Sequence, residues 1–273
     1  MAETNEQMSF LEHLEELRWR IVRAAIAIIS GGILAFVFKG VLFDGIILAP
    51  KDSQFFTYRV FCNISRKLGL GEEFCIQSDL KLQNIDMSGQ FSSHIMVSLI
   101  AGIVVAFPYV FYQFWSFVKP GLKDGERKGA RGVVIFVSLL FGSGVLFGYF
   151  LMAPLSVQFL GTYTVSAQVE NIITLDSFIS TVTTTTLASG LVFQLPMVIY
   201  FLARLGLVTP QLLRTYRKHA IVVVLVLSAI ITPPDITSQI LVSLPLMILY
   251  EISIQIARVV VRNNARRARA STS

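Results

Sequence analysis

Glu12, Glu16 and Arg20 recur at four-residue intervals near the start of the chain. At that spacing two carboxylates and a guanidinium share one helical face. Left to themselves, Glu16 and Arg20 form a solvated i,i+4 pair worth about 0.3–0.5 kcal/mol. Further polar groups punctuate apolar stretches: Gln194, Gln239, Glu251 and Gln255, with Arg258 seven residues beyond Glu251 on one helical face. Gln194 and Gln239 suit hydrogen bonding between helices. Asp235 follows Thr232-Pro233-Pro234 and is placed either to cap the next helix or to act as an ionisable group near a membrane surface. Cys62 and Cys75 are the only cysteines. They form a disulfide in an oxidising exterior or remain two free thiols; without nearby His they lack the ligands for zinc. The chain has no G-x-x-x-x-G-K-[ST] loop, no H-E-x-x-H and no G-x-S-x-G. His13, His94 and His219 are scattered. Neither an enzyme nor a metal or cofactor site is expected; what remains is binding.

The elements that must hold these groups are membrane helices. Of 273 residues 54% are hydrophobic and 15% charged, against roughly 25% charged in soluble domains. Phe10, Leu14, Leu17 and Ile21 form an apolar stripe at helical spacing, and Ser9 with Glu12 reads as a capping box. A short charged helix thus runs into the apolar stretch that follows. That stretch has an acidic approach and no small-residue cleavage site, so it is not expected to be a cleaved signal peptide.

Six spans are expected, at about 17–38, 94–118, 132–155, 178–205, 220–232 and 236–257. Basic residues cluster in alternate connections: Arg18, Arg20 and Arg23; Lys119, Lys123, Arg127, Lys128 and Arg131; Arg204, Arg214, Arg217 and Lys218; and Arg258, Arg262, Arg266, Arg267 and Arg269. All other Lys and Arg fall between the first two spans. The positive-inside rule then places both termini in the cytoplasm. The expected fold is an all-α integral membrane protein of six kinked helices forming one membrane domain over 1–273. It has an amphipathic cytoplasmic start over 1–16, a structured outer cap over 39–93 and a basic tail over 259–273. The fifth and sixth spans are expected to be short. Thirteen residues of the fifth make about 20 Å of helix against a hydrocarbon core of about 30 Å. Pro108, Pro154, Pro196 and Pro245 favour kinks. The hydroxyls of 180–186 either bond back to helical carbonyls or line a wet cavity. Trp115, Tyr112 and Phe117 read as an interfacial belt, and the arginine-rich tail as an orienting, lipid-contacting segment rather than a nucleic-acid site.

In this arrangement the sequence resembles the TatC family, the multispanning core of twin-arginine protein translocases. The motifs that carry the resemblance run in order along the chain. They begin with His13-Leu14-Glu15-Glu16-Leu17-Arg18 and Leu48-Ala49-Pro50. Pro108, Gln113 to Leu122 and Glu126-Arg127 follow. Thr232 to Asp235, Ser238-Gln239 and Tyr250-Glu251-Ile252 close the series. The resemblance implies a receptor for folded proteins whose signal peptides carry two adjacent arginines. It implies TatA- and TatB-like single-span partners, self-association, drive from the proton motive force and residence in the cytoplasmic (inner) membrane.

Glu16 and Glu126 match the family's signal-binding acids, with Arg18, Phe117 and Arg127 shaping the patch. On this reading Glu16 is only partly committed to Arg20. Pro50, Pro196, Cys62 and Cys75 are expected to be structural; Gln194, Asp235, Gln239 and Glu251 are candidates for contact with partner helices. Two departures stand out. Gln194 occupies a position where the family commonly has glutamate, so it can hydrogen-bond but not carry a proton. The loop after the first span carries an insertion around 52–71. A secondary transporter of a small solute is the alternative function, although no internal similarity between the two halves supports it.

Overall fold

The computed structural model describes residues 10–69, 80–118, 130–166, 168, 171–232 and 236–270. In chain order the helices are α1 (Phe10–Val37), α2 (Phe56–Leu68), α3 (Gly89–Val118), α4 (Ala130–Phe147), α5 (Ala153–Thr162), α6 (Leu175–Val192), α7 (Leu195–Arg204), α8 (Pro210–Thr215), α9 (Arg217–Ile231) and α10 (Ile236–Ala270). Two compact units divide the chain: Met1–Leu42 with His94–Leu139, and Phe43–Ser93 with Leu140–Ser273. Among the described residues five stretches are long and apolar enough to cross a membrane: Glu12–Val37, Gly89–Val118, Gly132–Thr162, Leu175–Arg204 and Gln239–Asn263.

The first unit is built on α1 and α3 as an antiparallel pair. Their backbones touch where small residues meet. A methyl group on Gly102 would lie 2.5 Å from the Ile28 carbonyl oxygen and 2.6 Å from the Gly32 nitrogen, so only glycine fits. Ring stacks close both ends. His13 lies on Phe117 with centroids 4.3 Å apart, and Phe36 on His94 at 3.9 Å. His13 and Phe36 are 23 residues apart, as are His94 and Phe117, which is about 34 Å of helix.

The second unit packs α6, α7, α9 and α10 with the end of α4. Met152, Phe193, Val224, Val242, Leu246 and Leu249 form its main core, and Ala203, Ala257 and Val260 a smaller one. Gly144 and Gly148 let the third apolar stretch approach α6: a methyl on Gly148 would lie 2.8 Å from the Thr186 Cα.

Prolines interrupt two of the long helices and not the others. Pro154 follows a π-helical stretch, Gly148–Met152, and Pro196 follows a break at Phe193–Gln194. By contrast α3 and α10 run through Pro108 and Pro245. Pro154 has no N–H for the carbonyl four residues back, that of Phe150. The Thr57 hydroxyl donates to that carbonyl instead. Tyr58, 3% exposed, donates to the carbonyls of Pro50 (2.9 Å) and Pro154 (3.1 Å), and burial pushes its hydroxyl above the ordinary tyrosine range. Pro50 is thus a buried structural residue, held beside α2.

Three expectations change. The last helix is not short: α10 has 35 residues. The apolar stretch runs to about Asn263, and the Ala- and Arg-rich segment 265–270 beyond it keeps high helix propensity, so the helix outlasts its hydrophobicity. The fold is not purely helical, because Leu82–Gln83 and Ile173–Thr174 pair as short parallel strands, Leu82 opposite Ile173. They tie the loop before α3 to the loop before α6. Trp115 is no belt residue: it is 2% exposed, whereas Tyr112 is half exposed. The short fifth helix is present as α9, 15 residues long.

Candidate functional site

The first turns of α1 and the last turn of α3 form the site in the first unit. Glu16 is a quarter or less exposed and accepts on Oε1 from both Nε (3.0 Å) and Nη2 of Arg20. Its other oxygen, Oε2, is buried and has no hydrogen-bond partner among the described residues. One carboxylate therefore carries a satisfied oxygen and an unsatisfied one, and a buried acceptor without a donor costs about 1–3 kcal/mol. A guanidinium presents two parallel N–H groups and meets that need directly.

His13 lies one turn before Glu16 and fixes the wall beside it by stacking on Phe117. Phe117 is half-buried there, Gln113 and Trp115 are buried, and Phe114 is exposed. Arg18 is exposed; two residues from Glu16, it points about 200° around α1, away from the carboxylate. Trp19 is 53% exposed. Glu126 and Arg127 lie outside the described residues. Sequence reasoning passed over His13, because its partner is far along the chain. The available signal was its i,i+3 relation to Glu16.

In the second unit the polar groups are dispersed. Glu251 does not act with Arg258; its Oε2 accepts from Arg217 Nη2 at 2.7 Å, with both side chains about half exposed. The Tyr250 hydroxyl donates to the Leu213 carbonyl at 2.7 Å. Gln239 reaches from α10 to the Leu225 carbonyl on α9, 3.1 Å away, an interhelical hydrogen bond of the kind its position predicted. Gln194 is half-buried at the break before α7, beside the buried Pro196. Asp235 lies outside the described residues. Cys62, on α2, is in a disulfide; the chain's other cysteine is Cys75, which is outside the described residues. Thr181 and Thr183 bond back to the carbonyls of Ser177 and Ile179. Thr184 and Thr185 line a cavity with Ser156, Asp176 and Thr232. Among the described residues no group of His, Cys, Asp or Glu could hold a metal.

The class that fold and site define is a polytopic helical membrane protein with a half-satisfied carboxylate near a helix end. The particular family follows from likeness. A family model described as Sec-independent protein translocase protein (TatC) matches residues 12–245. The Sec-independent protein translocase protein TatC of Blattabacterium from Periplaneta americana is 39% identical over 259 residues, covering 94% of this chain and 97% of that one. That of Aquifex aeolicus is 32% identical, covering 93% and 97%. A crystal structure of the twin arginine translocase receptor TatC in DDM superposes with a TM-score of 0.69 at 32% identity, covering 90% of this chain and 99% of that chain. The chain belongs to the TatC family of multi-pass membrane proteins, components of the Sec-independent protein translocase. This places it in protein transport.

Proposed function

We propose that this chain is the receptor subunit of a twin-arginine translocase. It binds the paired arginines of signal peptides on folded precursors, and it scaffolds TatA- and TatB-like partners for export driven by the proton motive force. The observation that carries this reading is the buried Oε2 of Glu16, without a partner among the described residues, on a carboxylate whose Oε1 is held by Arg20. Glu126 supplies the second acid and Arg127 borders it. Arg18 and Phe117 shape the approach. The solved relative named a twin arginine translocase receptor supports the same reading.

In this proposal the site faces the cytoplasm and both termini lie there, in the inner membrane. The hairpin of α9 and α10 completes six spans, with α9 too short to cross an undeformed bilayer. Gln194, Gln239 and Asp235 serve contacts with partner helices. Copies of the chain associate with one another, and no nucleic acid, cofactor or metal is involved.

The test is photocrosslinking from the exposed Trp19 position in membranes. A probe there forms an adduct with an Arg-Arg precursor and none with its Lys-Lys variant, because lysine keeps the charge and loses the planar fork. The adduct is also lost on Glu16→Gln or Glu126→Gln. An adduct that survives both acid substitutions together refutes the role given to these carboxylates.

A further inference from the structure

One face of the helix α2 is unaccounted for by the contacts within the second unit. Thr57, Tyr58 and Ser65 are buried and hold it to the rest of the second unit. Phe56, Val60 and Ile64 recur every four residues on an adjacent side and are 63%, 36% and 47% exposed. Arg59, Asn63 and Arg66 lie along one edge of that stripe and Lys67 continues it at the end of the helix, all four exposed. The helix contains no acidic residue. An apolar stripe edged by cations is the pattern of a helix lying in a membrane interface, where long basic side chains reach lipid phosphates.

The surroundings point the same way. The Phe56 ring meets Phe150 edge-on at 6.0 Å, and Phe55 stacks on the same ring at 5.9 Å. Phe150 belongs to the apolar stretch Gly132–Thr162, on which Leu146 is also strongly exposed. The stripe of α2 is thus continuous with the lipid-facing side of a spanning helix. A water-facing cap would have no reason to extend that surface. A protein partner would be expected to meet acids as well as bases, and α2 offers only bases.

We propose that α2 is an interfacial helix: its Phe56–Val60–Ile64 stripe enters a phospholipid bilayer beside the third span, with Arg59 and Lys67 at the lipid phosphates. Its depth is about 5–10 Å below the headgroups.

Tryptophan fluorescence tests this on the purified full chain in vesicles of phosphatidylethanolamine and phosphatidylglycerol. Ile64→Trp adds one indole, and its emission is the difference from the parent protein, which retains Trp19 and Trp115. The added emission is expected to shift to the blue, to be lost with acyl chains brominated near the carbonyl more than with deeply brominated ones, and to resist aqueous acrylamide. Val60→Trp, on the same stripe, repeats the measurement should the first variant fold poorly. Added emission quenched by acrylamide and indifferent to brominated lipid overturns the proposal in favour of a solvated cap. Emission shielded from both overturns it in favour of a second copy of the chain covering the stripe.

Discussion

The two oxygens of Glu16 have different fates, and the consequences can be measured at single residues. A charge-assisted hydrogen bond contributes about 1.5–3 kcal/mol, so Glu16→Gln is expected to weaken binding of an Arg-Arg signal peptide by roughly 10- to 100-fold. Titrating a labelled peptide into the detergent-solubilised protein reads this, with the Lys-Lys peptide as the reference. The His13–Phe117 stack is expected to show a coupling of about 0.5–1.5 kcal/mol in a double-mutant cycle of His13→Ala and Phe117→Ala, measured as thermal stability. Zero coupling would mean that the rings merely lie near one another. Legibility at this scale followed sequence distance. Glu16 and Arg20 were readable because their pairing is a property of one helix turn. The partners of His13 and Glu251 were not, since Phe117 and Arg217 are brought in by packing. Arg258, the partner suggested by helical spacing, shares only a face with Glu251.

Elements here are shaped by what glycine and proline permit. Gly102 occupies a crossing where a methyl group meets backbone atoms at 2.5–2.9 Å. Backbone cannot rotate away as a side chain can. Gly102→Val is therefore expected to cost more than the usual 1–3 kcal/mol of overpacking and to expose the first hairpin to protease in membrane vesicles. Unchanged protease resistance would show that α1 and α3 part easily. Thr57 answers for the donor that Pro154 lacks, so Thr57→Val leaves the Phe150 carbonyl without its hydroxyl donor. The expected loss is about 1–3 kcal/mol, seen as a lower melting temperature in detergent. The long helices were legible because hydrophobic length is written locally. The end of α10 was not, since propensity carried the helix past the last apolar turn. The two-residue strand pair was not either, because its partners are separated by the whole of α3, α4 and α5 and carry no alternating pattern.

At the scale of the whole molecule the charge pattern and the helix lengths make one further demand. In the proposed topology, with four basic clusters on alternate connections, α9 crosses although it offers only 15 residues, about 22 Å. Reporter fusions after residue 209 and after residue 270 are expected to report the same side of the membrane. Opposite sides would remove α9 from the set of spans. Composition alone sufficed to read a membrane protein, and motif order sufficed to read its family; the division into two units left no mark in the sequence.

The paired rings at the two ends of the α1–α3 hairpin give that hairpin a set length, because neither stack can slide along its helix without breaking. About 34 Å of helix between clasps is slightly more than an average hydrocarbon core of about 30 Å. The hairpin therefore works as a gauge fixed into a compressible sheet. Where the lipid is thinner than the gauge, it is the lipid or the tilt that must yield. Glu16, three residues inside the clasp that His13 makes with Phe117, is then held at the edge of the hydrocarbon core, at the depth of the headgroups.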